Sequence, residues 1–216
     1  ASVQEMADFV GIAFDLAFKY RNPAIILADG VIGQMMEKVV LPEQRTRLTD
    51  EEVIARCPWA TTGRTHHRTP NIITSLELDP AEMEKRNIHL QKKYAEIEEN
   101  EVRFEELHCE DAEYLIVAFG SCARIAQKAM EMAREEGIKV GLLRPITLWP
   151  FPSKAIAARA AQVKGILTVE LNAGQMVEDV RLAVECKVPV EHFGRLGGIV
   201  PDPDEVITAL KEKLIK

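Results

Sequence analysis

The sequence lacks several features that would assign it to a class at once. Its uninterrupted apolar stretches, such as residues 24–28, are far shorter than the ~20 residues that cross a bilayer, so no membrane span is predicted. The 27 lysines and arginines form no basic cluster and leave a formal charge of -7, which argues against a nucleic-acid partner because phosphate binding needs a basic face. Acidic residues interrupt the apolar amino terminus and no basic segment precedes it, so no signal peptide is predicted. We therefore expect a globular, cytoplasmic protein.

Metal-binding patterns are also missing. No two of the four cysteines have the close spacing that holds iron–sulfur clusters or structural zinc. His66 and His67 are adjacent, so their side chains diverge, and the other three histidines stand alone. We expect no metal site, and we expect four buried free thiols in a reducing compartment: Cys57, Cys109, Cys122 and Cys186.

The first forty residues indicate one helix and one strand. Ser2 and Glu5 have the spacing of a capping box, and apolar residues then recur at helical intervals. The apolar run 24–28 ends at Asp29-Gly30, as a buried parallel strand does when it delivers a polar turn. One helix and one strand cannot bury their own apolar faces, so this segment is predicted to be the tail of a larger domain. Its uncovered face should drive self-association or disorder unless the helix described next covers it.

Residues 42–112 are predicted to connect two domains. Residues 42–78 show no sustained periodicity, and the polar stretch 61–69 suits a binding loop or a disordered segment equally well. Asp79 and Pro80 then provide a helix start. Apolar residues at intervals of seven predict that this helix continues to about residue 107, roughly 42 Å in all.

The apolar seam of that helix is narrow. Asn87 and Glu101 fall at alternate core positions, which makes a coiled coil weak. We expect the helix to dock along its own domain or against a partner subunit. The residues of the seam are Met83, Leu90, Ile97 and Phe104.

From residue 113 onward, apolar runs and helical patterns alternate. Such alternation without hairpin signals indicates a doubly wound, mostly parallel sheet of four or more strands. The expected strands are 114–119, 138–143, 165–171 and 188–193, and the expected helices are about 122–136, 153–163, 174–185 and 203–215.

Polar residues follow the predicted strands at the edge where open parallel sheets bind ligands. Gly120-Ser121 could hold a phosphate at a helix amino terminus, although a tight turn with a capping serine is the more ordinary interpretation. Glu170 beside Asn172 could act as a general acid or base, but no partner group can be placed, and a hydrogen-bonded hub is favoured. Asp29-Gly30 could form only a turn, or these residues could lie at a subunit interface or at the edge of a cofactor site.

Several motifs together resemble the carboxy-terminal portion of the α subunit of 2-oxoacid:ferredoxin oxidoreductases. The resemblance runs nearly from end to end. The motifs that carry it are Arg144-Pro-Ile-Thr-Leu-Trp-Pro-Phe-Pro152, Glu170-Leu-Asn-Ala-Gly-Gln-Met176, Ser2-Val-Gln-Glu-Met6, Leu27-Ala-Asp-Gly-Val-Ile-Gly-Gln34 and Gly194-Arg-Leu-Gly-Gly-Ile-Val-Pro201.

The resemblance implies a domain organisation and a chemistry. Residues 1–41 would be the tail of a pyrimidine-binding domain, 42–112 a connector with a long helix, and 113–216 a transketolase C-terminal-like domain. In such complexes thiamine diphosphate lies between the α and β subunits, the β subunit binds its magnesium diphosphate, and iron–sulfur clusters lie on partner subunits. A 2-oxoacid is converted to acyl-coenzyme A while ferredoxin is reduced.

The resemblance places the family's activating glutamate upstream of Ala1, so no catalytic residue is assigned and the isolated chain is expected to be inactive. Expected partners are the β subunit, further small subunits, ferredoxin and a second copy of the chain. Within the family, the sequence looks most like the branch that acts on 2-oxoisovalerate. The branch that acts on 2-oxoglutarate is the alternative. The interface or ligand-edge candidates are Asp29, Gly30, Gln34, Gly120, Ser121, Arg144, Glu170, Asn172 and Gln175.

The sequence is also compatible with two other classes of protein. An NAD-linked 2-oxoacid dehydrogenase or a transketolase-type enzyme would have a carboxy-terminal domain of the same architecture. A non-catalytic assembly module would only hold subunits together.

Overall fold

The computed structural model describes residues 1–61 and 69–215 of the chain. These residues form two compact units. One unit comprises Ala1–Val40 and Lys93–Lys216, and the other comprises Leu41–Lys92.

A five-stranded sheet lies at the centre of the larger unit, in the order β1-β3-β2-β4-β5. Strand β2 pairs in parallel with β3 and β4, and β4 pairs in parallel with β5. Strand β1 runs antiparallel to β3 at one edge. The mostly parallel sheet is therefore confirmed. The strands are β1 Phe104–Leu107, β2 Tyr114–Ala118, β3 Val140–Pro145, β4 Gly165–Glu170 and β5 Val190–Gly194.

Helices cover both faces of this sheet, because successive side chains of each strand point to opposite sides. Ile116 packs in the layer that includes α5 and α8, while its neighbours Leu115 and Val117 pack in the layer with α6 and α7. The architecture is thus doubly wound. The helices are α5 Gly120–Glu135, α6 Ser153–Ala160, α7 Met176–Val184 and α8 Pro203–Leu210, which a π-helical turn, Lys211–Ile215, continues.

The long helix is shorter than predicted. Helix α4 spans Pro80–Asn100, and its predicted amino-terminal cap is confirmed because Asp79 Oδ1 accepts a 2.8 Å hydrogen bond from the Ala81 amide. The extension to residue 107 is wrong, since residues 104–107 form β1. Pairing with β3 satisfies the backbone there, and Phe104 continues the seven-residue interval without being helical.

Residues 1–40 contain α1, Val3–Tyr20, and the short α2, Gly30–Gln34. The strand predicted at 24–28 is wrong, because these residues form neither strand nor helix. A strand needs a neighbouring backbone, and none of the described strands pairs with this run. Ile25 is accordingly 81% exposed.

The smaller unit contains α3, Asp50–Arg56, which was not predicted. Its signal was nevertheless present in the sequence, since Thr49 and Glu52 form a capping box in which the Thr49 amide donates to Glu52 Oε2 at 2.8 Å. Most of the polar stretch 61–69, including His66 and His67, lies outside the described residues.

Two of the four thiols differ from expectation. Cys109 and Cys122 are buried, and burial raises the pKa of Cys109 to about 11 and that of Cys122 to about 12. Cys57 is only half-buried and Cys186 is exposed, so the prediction is wrong for these two: Cys186 follows the carboxyl end of α7 and does not face the core. Among the described residues, no helix is both long enough and apolar enough to cross a bilayer.

Candidate functional site

The structure sorts the sequence-predicted residues into three groups near the carboxyl edge of the sheet. Asp29 meets Gly120 and Ser121, Glu170 meets Asn172 and the backbone of Gln175, and Arg144 forms a group with two glutamates. The other two candidates, Gly30 and Gln34, begin and end α2 and are exposed.

Asp29 caps two helices at once. Its Oδ1 accepts from the Ile32 amide of α2 at 2.8 Å, and its Oδ2 accepts from the Ser121 amide of α5 at 3.2 Å. Burial alone would raise the pKa of Asp29, but these donors outweigh it and the pKa is lowered. Gly120 has φ of 58°, and a side chain there would have its Cβ 3.3 Å from Asp29 Oδ2.

This arrangement argues against a phosphate at Gly120-Ser121. The chain's own carboxylate already occupies the amino terminus of α5, and Glu170 lies near enough to act, with Asp29, on the pKa of Cys122. Two carboxylates repel another anion. Ser121 is not the capping residue, because Phe119 holds that position. The Ser121 hydroxyl is instead buried beside Asp29.

Glu170 is the hub of the second group. It is 1% exposed, and its Oε2 accepts from the amide of Met176 at 2.8 Å and from Asn172 Nδ2 at 3.1 Å. Oε1 accepts from the Val177 amide at 3.0 Å, so the carboxylate caps α7. His192 Nδ1 lies 3.4 Å from Oε1. A carboxylate that is enclosed and accepts from several donors orders a loop and is poorly placed to exchange protons with a substrate.

Arg144 joins distant parts of the chain. Its side chain is 13% exposed, and Nη2 lies 2.8 Å from Glu5 Oε1 while Nε donates to Glu105 Oε2 at 2.8 Å. Burial would lower the pKa of Arg144, but the two carboxylates outweigh it and raise the pKa. The sequence placed Arg144 at this edge but not beside Glu105, because Glu105 was assigned to a helix.

A cleft of about 340 Å³ opens beside Arg144. Leu107 and Leu142 contribute apolar surface to its lining. Its charged lining residues are Glu5, Glu37, Glu105, Arg124 and Arg144.

The partners of Glu101 were not predicted from the sequence. It is buried, its Oε1 accepts from the Tyr20 hydroxyl at 2.7 Å, and Lys19 Nζ lies 2.6 Å from the same oxygen. The available signal was its position in the heptad pattern, since a glutamate at an apolar position implies a specific partner.

The resemblance assigns the magnesium diphosphate to the β subunit and not to this chain. Across residues 1–61 and 69–215, no three His, Cys, Asp or Glu side chains cluster as metal ligands. The carboxylates at the sheet edge are already engaged by backbone amides, as described for Asp29 and Glu170.

Two protein-family models match the chain. The model described as pyruvate flavodoxin/ferredoxin oxidoreductase, thiamine diphosphate-binding, matches residues 1–108. The model described as pyruvate:ferredoxin oxidoreductase core domain II matches residues 112–206.

Curated relatives of two kinds are similar to nearly the whole chain. A ketoisovalerate oxidoreductase subunit VorB from Methanothermobacter marburgensis is 46% identical over 98% of this chain and 58% of its own length. A 2-oxoglutarate synthase subunit KorA from the same organism is 30% identical over 97% of this chain and 61% of its own length. The chain thus spans about three-fifths of the length of these relatives.

A solved structure shares the fold. It is a 2-oxoglutarate:ferredoxin oxidoreductase from Magnetococcus marinus with 2-oxoglutarate, coenzyme A and succinyl-coenzyme A bound. It superposes with a TM-score of 0.65 and 23% sequence identity, covering 89% of this chain and 37% of that chain. At this identity the likeness establishes the fold alone.

Proposed function

Because the chain belongs to the pyruvate flavodoxin/ferredoxin oxidoreductase family, we propose that it is part of the α subunit of a thiamine diphosphate-dependent 2-oxoacid:ferredoxin oxidoreductase. The complex would convert a 2-oxoacid to acyl-coenzyme A and reduce ferredoxin. The observation that supports this most strongly is the order of the two family models along the chain, with the thiamine diphosphate-binding model first and core domain II second.

The chain's own share of this function is scaffold and subunit interface. The polar groups at the sheet edge are engaged in contacts within the chain, as the bonds of Asp29, Glu170 and Arg144 illustrate. We place the domain boundaries at 41 and 112, with a connector between them. The β subunit, further small subunits, ferredoxin and a second copy of the chain are the proposed partners, and a cytoplasmic location stays a prediction. Iron–sulfur clusters are proposed on partner subunits.

The substrate we propose is 2-oxoisovalerate. The support is the difference between 46% identity to the ketoisovalerate oxidoreductase subunit and 30% identity to the 2-oxoglutarate synthase subunit, over similar shares of the chain. An apolar branched substrate and one with a second carboxylate require opposite pocket chemistry, so one complex should discriminate strongly between them.

The test is the coenzyme A-dependent reduction of ferredoxin by the purified complex. We expect kcat/KM for 2-oxoisovalerate to exceed that for 2-oxoglutarate by at least about tenfold. The reverse order would overturn the substrate, and the absence of activity with any 2-oxoacid would overturn the reaction class. The 216-residue chain alone is the matched control, and it should show neither turnover nor stoichiometric thiamine diphosphate binding in calorimetry with magnesium.

A further inference from the structure

The loop after β5, residues 195–200, exposes three apolar side chains close together. Leu196 is 58% exposed, Ile199 is 51% exposed and Val200 is 41% exposed. The loop, β4, β5 and the start of α8 all lie within the match to core domain II, which covers residues 112–206. A soluble surface usually carries its apolar residues singly, so three of them on one short loop mark a candidate interaction surface.

A tight turn fixes the shape of this 195–200 loop. The Leu196 carbonyl oxygen accepts from the Ile199 amide at 3.3 Å. Between them, Gly197 has φ of 67° and Gly198 has φ of 86°. Two successive positive φ values are what a type I′ turn requires, and glycine adopts them without strain. The first and fourth Cα atoms of a β-turn lie within about 7 Å, so the turn holds Leu196 and Ile199 close to each other at its tip.

Both ends of the 195–200 loop are anchored to the sheet domain. At its start, the Arg195 amide donates to the carbonyl oxygen of Glu170, the last residue of β4, at 3.2 Å. At its end, Pro201 is buried and Asp202 forms the capping box of α8. A loop that is already held at both ends loses little conformational freedom when it binds. The apolar tip is therefore pre-organised for a contact.

Acidic groups flank the tip. Helices α7 and α8 begin at the carboxyl edge and cover opposite faces of the sheet. Their first turns carry the acidic residues Glu178, Asp179, Asp204 and Glu205. The cation of the loop, Arg195, is already paired, since its Nη1 lies 3.2 Å from Glu205 Oε1. The surroundings of the apolar tip are thus negatively charged.

These charges decide between two kinds of partner. In a two-fold contact between copies of the chain, the same patch meets itself, so the acidic turns of the two copies would face each other. Like charges that face each other across an interface disfavour the complex. An apolar pocket with lysine or arginine at its rim, in contrast, complements both the tip and its surroundings.

We propose that the 195–200 loop docks into an apolar pocket with a basic rim on another subunit of the complex. Leu196, Ile199 and Val200 fill the pocket, and the acidic first turns of α7 and α8 face the rim. The inference rests on the proposed function in taking the partner to be a different subunit of a 2-oxoacid oxidoreductase complex.

Photocrosslinking in the purified complex tests the docking. With p-benzoylphenylalanine in place of Leu196, we expect a crosslink to another subunit, at a peptide that carries apolar residues beside lysine or arginine. Mass spectrometry identifies that peptide. The same group in place of Leu182, which is 77% exposed on α7, is the control and should give much less product. A crosslink to a second copy of the chain or within the same polypeptide would overturn the proposal, and so would equal yields at the two positions.

Dissociation of the complex on dilution provides the second measurement. Leu196→Ser with Ile199→Ser should raise the dissociation constant for the partner at least about tenfold in mass photometry, because a few buried anchors carry most of the binding energy. Leu182→Ser is the matched control and should leave it unchanged. Asp204→Lys should weaken the complex at low salt, and this loss should shrink toward about 1 M NaCl, where charges are screened. Tighter binding in Asp204→Lys, or an unchanged dissociation constant in the double variant, would overturn the pocket with a basic rim.

The docking and the proposed reaction can fail separately. An active complex whose dissociation constant is unaffected by the double variant would overturn the docking of the 195–200 loop alone. A complex that reduces ferredoxin with no 2-oxoacid, but still crosslinks to another subunit at position 196, would overturn the reaction class and support the docking.

Discussion

At the residue scale, buried carboxylates act as caps for helices. Glu170 shows this most completely, since it accepts from three backbone amides and from the side chain of Asn172. A strand-end glutamate in a predicted parallel sheet can equally suggest catalysis. The geometry favours the structural role, because the donors that surround Glu170 belong to the turn after β4 and to the first residues of α7.

Replacing Glu170 with alanine should therefore destabilise the protein strongly. Four donors would lose a buried acceptor, and we expect the free energy of unfolding to fall by roughly 3 kcal/mol. Urea denaturation measures this. Glu178→Ala, in the exposed first turn of the same helix, is the control and should cost less than about 1 kcal/mol. Equal losses of stability in the two variants would contradict the structural role of the Glu170 carboxylate.

At the element scale, the end of β5 lies very close to the loop that follows β4 at the carboxyl edge of the sheet. Gly194 ends β5 beside the loop that carries Asn172. An added Cβ at Gly194 would lie 2.3 Å from the carbonyl oxygen of Asn172 and 2.6 Å from His192 Nε2. The strand end and the Glu170 loop can therefore approach this closely only because residue 194 has no side chain.

Gly194→Ala should separate β5 from that loop. The backbone oxygen of Asn172 cannot move as a flexible side chain would, so we expect a loss of about 1–3 kcal/mol of stability. Thermal unfolding checks the prediction. Gly33→Ala is the control, because nothing lies within 4 Å of an added Cβ at that helical position, and alanine there should be neutral or slightly stabilising. A neutral Gly194→Ala would show that the loop has room to shift.

At the scale of the whole molecule, the distribution of exposed apolar side chains is uneven. Helix α1 exposes Val10, Phe14 and Phe18 at helical spacing, and Phe14 is 62% and Phe18 is 58% exposed. Soluble monomers seldom leave such a face in water.

We expect this face to drive self-association of the chain. Phe14→Glu and Phe18→Glu should shift the chain toward monomer in sedimentation velocity experiments, because each places a charge in the apolar contact. Leu182→Glu on α7 is the control, since Leu182 is 77% exposed and lies far from α1 in the sequence. A monomer before any substitution, or dissociation by Leu182→Glu alone, would contradict the role of α1.

The sequence by itself determined the alternation of strands and helices after residue 113, because hydrophobic period and turn residues are local signals. It also placed Arg144 and Glu170 at the carboxyl ends of strands, whereas the strand expected before Asp29 is not formed. Only the tertiary structure decided their partners. Glu5 lies 139 positions from Arg144, Asp29 lies 92 positions from Ser121, and no local pattern encodes such pairs.

The two wrong elements have the same physical origin. Residues 24–28 have the composition of a strand, but none of the strands that the structure describes lies beside them, and residues 104–107 continue a helical interval but lie beside β3. Backbone hydrogen bonds between strands depend on which segment is adjacent in space. That adjacency arises from the packing of the whole domain, so the sequence pattern of either segment could not decide it.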